Sequence, residues 1–218
     1  MNLCKISWTL IVCFLFLSGT NAIAAGCKAS RIPITINFVN QAADVSGIWD
    51  DAIRSDFVEA MNVAANDVST YWRSGRPVIF GSDLKSGTRL IVVDHPIYFG
   101  KTQVGGYHGL DAAGPFAIFD LNTAAQAEGA AGPFLFGSHE LDEMLADPGA
   151  NRFIHRVFAE IADPVVCCHY DLTLSDGNVV PVNDFVLPAW FNPRATGPFD
   201  FIDSPFIQAP FQDGPGGF

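Results

Sequence analysis

The sequence is short of positive charge. Its 12 Lys and Arg stand against 23 Asp and Glu, so the surface repels polyanions, and nucleic acid and anionic membranes are excluded as partners. Apolar runs are scarce as well. The only long one, from Trp8 to Leu17, is too short to span a bilayer. With Lys5 before it and the small residues of "AIAA" at 22–25 after it, it reads as a secretory signal peptide over 1–25. Residues 26–218 then form a single secreted domain of 193 residues with 11 basic and 23 acidic side chains, a formal charge of -12, and no stable membrane insertion is expected.

Cysteine is sparse once the leader is set aside. Cys27, Cys167 and Cys168 remain, enough for one disulfide from Cys27 to Cys167 or Cys168 in an oxidising compartment. No N-x-S/T sequon, fixed-period repeat, D-x-D-x-D-G calcium loop or phosphate-binding glycine loop occurs. Nothing sets the oligomeric state.

What is present is periodic. Alternation in "RIPITINFVN" predicts a strand over 31–40, and apolar residues every three or four positions from Trp49 to Tyr71 predict a long helix over 49–72. "PVIF" (77–80), "RLIVVD" (89–94) and "PFAIFDLN" (115–122) predict three further strands, the last at an edge because of Pro115. Five glycines between 98 and 114 predict an ordered loop. A helix over 134–146 ends at Asp147-Pro148-Gly149, and a weaker one is expected over 151–161. A hairpin turning at Asp176-Gly177 follows. From about residue 190 a chain rich in Pro and Phe is expected to wrap the domain as an ordered tail. The order of elements predicts an α+β, zincin-like fold: a twisted mixed sheet packed on a long helix, a motif helix, and a loop-rich C-terminal region.

The motif is "GSHELDEMLADPG" (137–149). On a helix His139 and Glu143 share a face, so both can reach one metal ion, with Glu140 beside it. Zinc accepts imidazole nitrogen and carboxylate oxygen, and in H-E-x-x-H enzymes the glutamate next to the first histidine is the general base. The natural assignment is His139 and Glu143 as ligands and Glu140 as base. A third ligand is sought in "FAEIADPVV": Glu160 is favoured, with Asp163 as a cap or as a partner to His139. His108, in "GGYHG", is a competing ligand or, with Tyr107, an oxyanion donor. His169 and Tyr170 rank lower. Calcium held by Glu140, Asp142, Asp147 and Asp163 is the alternative metal, and the thiols beside His169 are a weak case for nucleophilic catalysis.

The segments "GYH" (106–108), "SHELDEMLADP" (138–148), "EIADP" (160–164), "NDFVLPAWFNP" (183–193) and "PGGF" (215–218) together resemble a largely uncharacterised, metallopeptidase-like family of bacteria, phages and fungi. The resemblance covers about 105–218 and implies functional positions at His108, His139, Glu140, Glu143, Glu160 and Asp163. It also implies that a carboxylate at the fifth place of H-E-x-x-E belongs to the design. The chain departs from the pattern at Ala162, where the family carries cysteine. The function expected is that of a secreted zinc-dependent peptidase acting on peptide or protein substrates. The alternative is a non-enzymatic binding or surface protein stabilised by zinc or calcium on the same scaffold.

Overall fold

The computed structural model describes residues 33–73, 75–81 and 87–217. The leader and Cys27 lie outside the described residues. Among the described residues, eleven strands and three α-helices follow in the order β1 (Ile34–Asn40), α1 (Asp51–Trp72), β2 (Val78–Gly81), β3 (Thr88–Val93), β4 (Ile97–Phe99), β5 (Thr102–Val104), β6 (Gly106–Asp111), β7 (Gly114–Asp120), α2 (Leu121–Glu128), α3 (Gly132–Ala146), β8 (Phe153–Ile154), β9 (Val157–Phe158), β10 (His169–Thr173) and β11 (Val179–Asn183). The result is an α+β fold, a mixed sheet packed against α1 and α3 with a loop-rich C-terminal region.

The main sheet has the order β2-β1-β3-β7-β6. Its first four strands run parallel and β6 returns antiparallel along β7, at the edge. α1 begins where the Asp50 side chain accepts the Ile53 N–H, a helix N-cap. Its apolar face drives Phe57 into the centre, against the rings of Phe38, Trp49, Phe119 and Phe134. α3 crosses the same region, and Gly137 lets it settle there, since a Cβ at that position would lie 2.7 Å from Cζ of Phe57.

Three expectations are corrected, and one helix was not anticipated. The glycine-rich segment is not a loop but the β4–β5 hairpin and the edge strand β6. Gly100, at φ +63°, makes the hairpin turn, and Gly105 and Gly106 let the strand run close under α3, so here glycine marks close approach within a strand. β7 is interior, because β6 covers it. No helix forms over 151–161. Phe153, Ile154, Val157 and Phe158 mimic a helical stripe, yet the chain folds into the β8–β9 hairpin, with His155 at φ 49° and Arg156 at φ 74° in its two-residue turn and the Phe153 and Phe158 rings 4.0 Å apart between centroids. The segment after β7 contains α2, capped by Asp120, which accepts from Asn122 N–H and the Thr123 hydroxyl.

The β10–β11 hairpin turns at Gly177, φ 92°, as the Asp-Gly pair predicts. Residues 190–217 have no helix or strand but are ordered. Phe199 and Ile207 are buried, Leu187 N–H donates to the Phe199 carbonyl, and Trp190 donates its indole N–H to the Gln212 carbonyl. Cys167 and Cys168 are free thiols. No helix among the described residues is long and apolar enough to cross a membrane.

Candidate metal centre

α3 presents His139, Glu140 and Glu143, and its position is fixed from both sides. On one side Gly137 meets Phe57 and Phe119. On the other the Ser138 hydroxyl donates to the Phe134 carbonyl at 2.8 Å and accepts the Asn183 N–H at 2.7 Å, tying α3 to the end of β11. β6 supplies His108. Successive strand residues face opposite ways, so His108 lies on the buried face of the sheet while Tyr107 turns to the other, its ring packed on Phe99 and Phe116. Gly106 lies against Glu140: a Cβ there would sit 2.7 Å from both Cγ and Cδ of that side chain.

Glu160 and Asp163 come from the segment after the β8–β9 hairpin, not from an α-helix; Asp163 opens a single 3-10 turn, Asp163–Val165. Ala159, Ile161, Ala162 and Val165 are fully buried and anchor this segment, with both acids turned to the cleft. Its backbone is held by Val186 N–H donating to the Ile161 carbonyl at 2.8 Å and Gly214 N–H donating to the Pro164 carbonyl at 2.7 Å. At Gly217 a Cβ would come within 3.0 Å of the Asp163 carbonyl and closer still to that of Pro164. The C-terminal glycines thus let the tail lie directly on the segment that carries Asp163. Upstream, Asp147 accepts the Arg152 N–H at 2.6 Å, which directs the chain from α3 into the hairpin.

The donors converge. His139 Nε2 lies 3.2 Å from Asp163 Oδ1 and 3.4 Å from Glu143 Oε1. His108 Nδ1 lies 3.5 Å from Glu143 Oε2 and 3.6 Å from Glu160 Oε2. Among the described residues two sets of three groups have donor atoms within 4.8 Å of one another: His139, Glu143 and Asp163, and His108, Glu140 and Glu143. Glu160 pairs with His108 but joins neither set. Of the residues expected from sequence, Tyr107 packs its ring on Phe99 and Phe116 at the cleft's border and not against the donors. His169 lines the same cleft, whereas Tyr170 donates its hydroxyl to Asp67 at 3.1 Å. Asp142 has Asp67 and Asp184 as acidic neighbours besides Glu143 and belongs to neither set of donors.

The electrostatics follow from burial and crowding. Burial pulls the His139 imidazole down, but Glu143 and Asp163 outweigh it and leave the pKa at about 8. Burial lowers that of His108. Glu140 and Glu143 are both pushed well above the usual carboxylate range by burial, assisted for Glu140 by Asp163 and Glu160. Glu160 rises to about 7 through burial and the proximity of Glu143. Several of these groups have buried atoms that no protein group hydrogen-bonds: His108 Nε2, Glu143 Oε1 and Glu160 Oε2. Unpartnered buried oxygens normally cost stability, and together with the His and carboxylate donors they define a site able to coordinate a divalent metal ion.

The site opens onto a cleft of ≈ 1020 Å³ whose walls include Phe99, Val104, Leu135, Phe136 and Phe158. Cys167 and Cys168 line it too, their sulfurs 3.1 Å apart. Burial and its neighbour Cys167 push the Cys168 thiol up to about 12, which makes it a poor nucleophile. Compared with known proteins, the chain matches no family profile, no curated protein and no solved structure. The site is therefore read from its own chemistry.

Proposed function

We propose that the protein is a metal-dependent hydrolase, a zinc peptidase of zincin-like design, with His139, Glu143 and Asp163 as ligands. The observation that carries this reading is that the three donors line an open cleft. A structural zinc is closed in by four protein ligands, whereas a catalytic one keeps a position free. The donor set fits zinc: bonds of about 2.05 Å in a tetrahedron give edges of about 3.3 Å, and the two edges at His139 Nε2 measure 3.2 and 3.4 Å.

A bound zinc supplies a Lewis acid that acidifies water and polarises a carbonyl. Glu140, adjacent to the set and buried, takes the proton of the attacking water and returns it to the leaving amine as the C–N bond breaks; its burial favours the protonated form it passes through. His108, across from Glu143, donates to the developing oxyanion. The apolar walls seat large apolar side chains, so peptides with such residues beside the cleaved bond are the expected substrates. The acidic surface adds a preference for basic or neutral peptides over acidic ones. The sequence resemblance supports the same reading, and the signal peptide would place the protein outside the cell.

The test is a pair of substitutions on the zinc-loaded chain. His139→Ala should lose the ion that His139 holds and turnover with it, while Glu140→Gln should lose about 10²–10⁴-fold in rate with the ion at His139 still bound. Bound metal without cleavage of any peptide in a broad panel would instead establish a binding protein stabilised by its ion.

A further inference from the structure

The two donor sets share one residue. Glu143 Oε1 faces His139 Nε2 at 3.4 Å, and Glu143 Oε2 faces His108 Nδ1 at 3.5 Å. Each oxygen of a single carboxylate is thus directed at a different histidine. A single ion collects all its ligand atoms within about twice one bond length, roughly 4.2 Å. No choice of atoms places both histidines and Glu143 within 4.8 Å of one another, and the donors separate into His139, Glu143, Asp163 and His108, Glu140, Glu143.

We infer that the centre holds two divalent cations bridged by Glu143, one on His139 and Asp163, the other on His108 and Glu140. This rests on the proposed metal site and deepens it, turning His108 from an oxyanion donor into a ligand. Charge supports it. Glu140, Glu143, Glu160 and Asp163 surround two imidazoles; when ionised they carry four negative charges, which two dications balance and one leaves half uncompensated. Uncompensated buried charge is strongly unfavourable. The unpartnered buried atoms Glu143 Oε1 and Glu160 Oε2 lie on both sides of the bridge, Glu160 at 3.6 Å from His108. Carboxylate-bridged ions sit about 3.5–4 Å apart in two-metal hydrolases. A carboxylate has two oxygens, so Glu140 can hold the second ion with one and serve the water's proton with the other.

The experiment is metal counting on the full chain, stripped of metal, reloaded with zinc and desalted. Two equivalents are expected in the native chain, and one in each of His108→Ala and His139→Ala, with circular dichroism confirming that both fold. Loaded with manganese(II), the native chain should give the exchange-coupled signal of a bridged pair by electron paramagnetic resonance, and His108→Ala the spectrum of an isolated ion. One equivalent in the native chain, or two retained in folded His108→Ala, overturns the inference. Cleavage of peptide with one ion bound would overturn the pair and leave the hydrolase reading standing; two coupled ions without cleavage would do the reverse.

Discussion

One glycine at the site and one aspartate in the core show how much a single residue decides. Gly106→Ala would drive a methyl into the Glu140 carboxylate, so it should shift that group and lower turnover by about 10²-fold or more. Thermal stability should change little, because the clash lies in the cleft wall. A kinetic assay beside a melting curve checks this; unchanged rate would show that Glu140 has no part in the reaction. Asp184 is fully buried, accepting the Phe185 N–H at 2.8 Å, and burial together with Asp200 raises its pKa to about 7. The folded chain therefore keeps a proton there that the unfolded chain releases near pH 4. This contribution to stability is complete below about pH 4 and disappears as pH rises toward 7. The metal-free protein should melt at a lower temperature at pH 8 than at pH 5, and Asp184→Asn should flatten that slope. The slope should not vanish, since the buried glutamates of the centre act in the same direction.

At the scale of elements, α3 is a rigid shelf for three functional side chains, and its seat is close-packed. Gly137→Ala gains helix propensity but pushes a methyl into the Phe57 ring; overpacking of this kind costs about 1–3 kcal/mol, more than the 0.5–1 kcal/mol gained. A urea midpoint lowered accordingly is expected, and an increase would mean that the Phe57 cluster yields easily. The elements also show what the sequence could convey. The long helix and the parallel strands were legible because apolar period and burial coincide, as at Phe57, Ala60, Ala64 and Val68. The motif helix was legible from its H-E-x-x-E spacing and its sharp Asp147-Pro148-Gly149 stop, and not from an apolar stripe, since it is buried nearly all round, with Ser138, Glu140, Asp142 and Glu143 inside. Local pattern failed where tertiary contact decides. Gly105 and Gly106 look like a loop until α3 is known to lie on them, and Phe153 to Phe158 look helical until the ring pair closes the hairpin. The site was half legible: spacing brought His139, Glu140 and Glu143 to one face. The convergence of His108, Glu160 and Asp163 depended on chain reversals that no local signal encodes.

For the whole molecule, the C-terminal tail belongs to the metal centre as much as to the core. Gly214 and Gly217 lie against the backbone of Asp163 and Pro164, so removing residues 213–217 and the terminal Phe218 should free that segment. Zinc affinity measured by chelator competition should fall about tenfold or more, one lost ligand contact at 1.4 kcal/mol, while the sheet and α1 stay folded. Metal should in turn stabilise the fold as a whole: at 100 times its dissociation constant a ligand adds about 2.7 kcal/mol, several degrees in melting temperature for a domain of this size. The most direct test of a catalytic metal centre is peptide cleavage followed through removal and return of zinc. The expected result is activity lost on chelation and restored by stoichiometric zinc in the native chain, and never restored in His139→Ala; cleavage that persists without metal, or that His139→Ala retains, would contradict it.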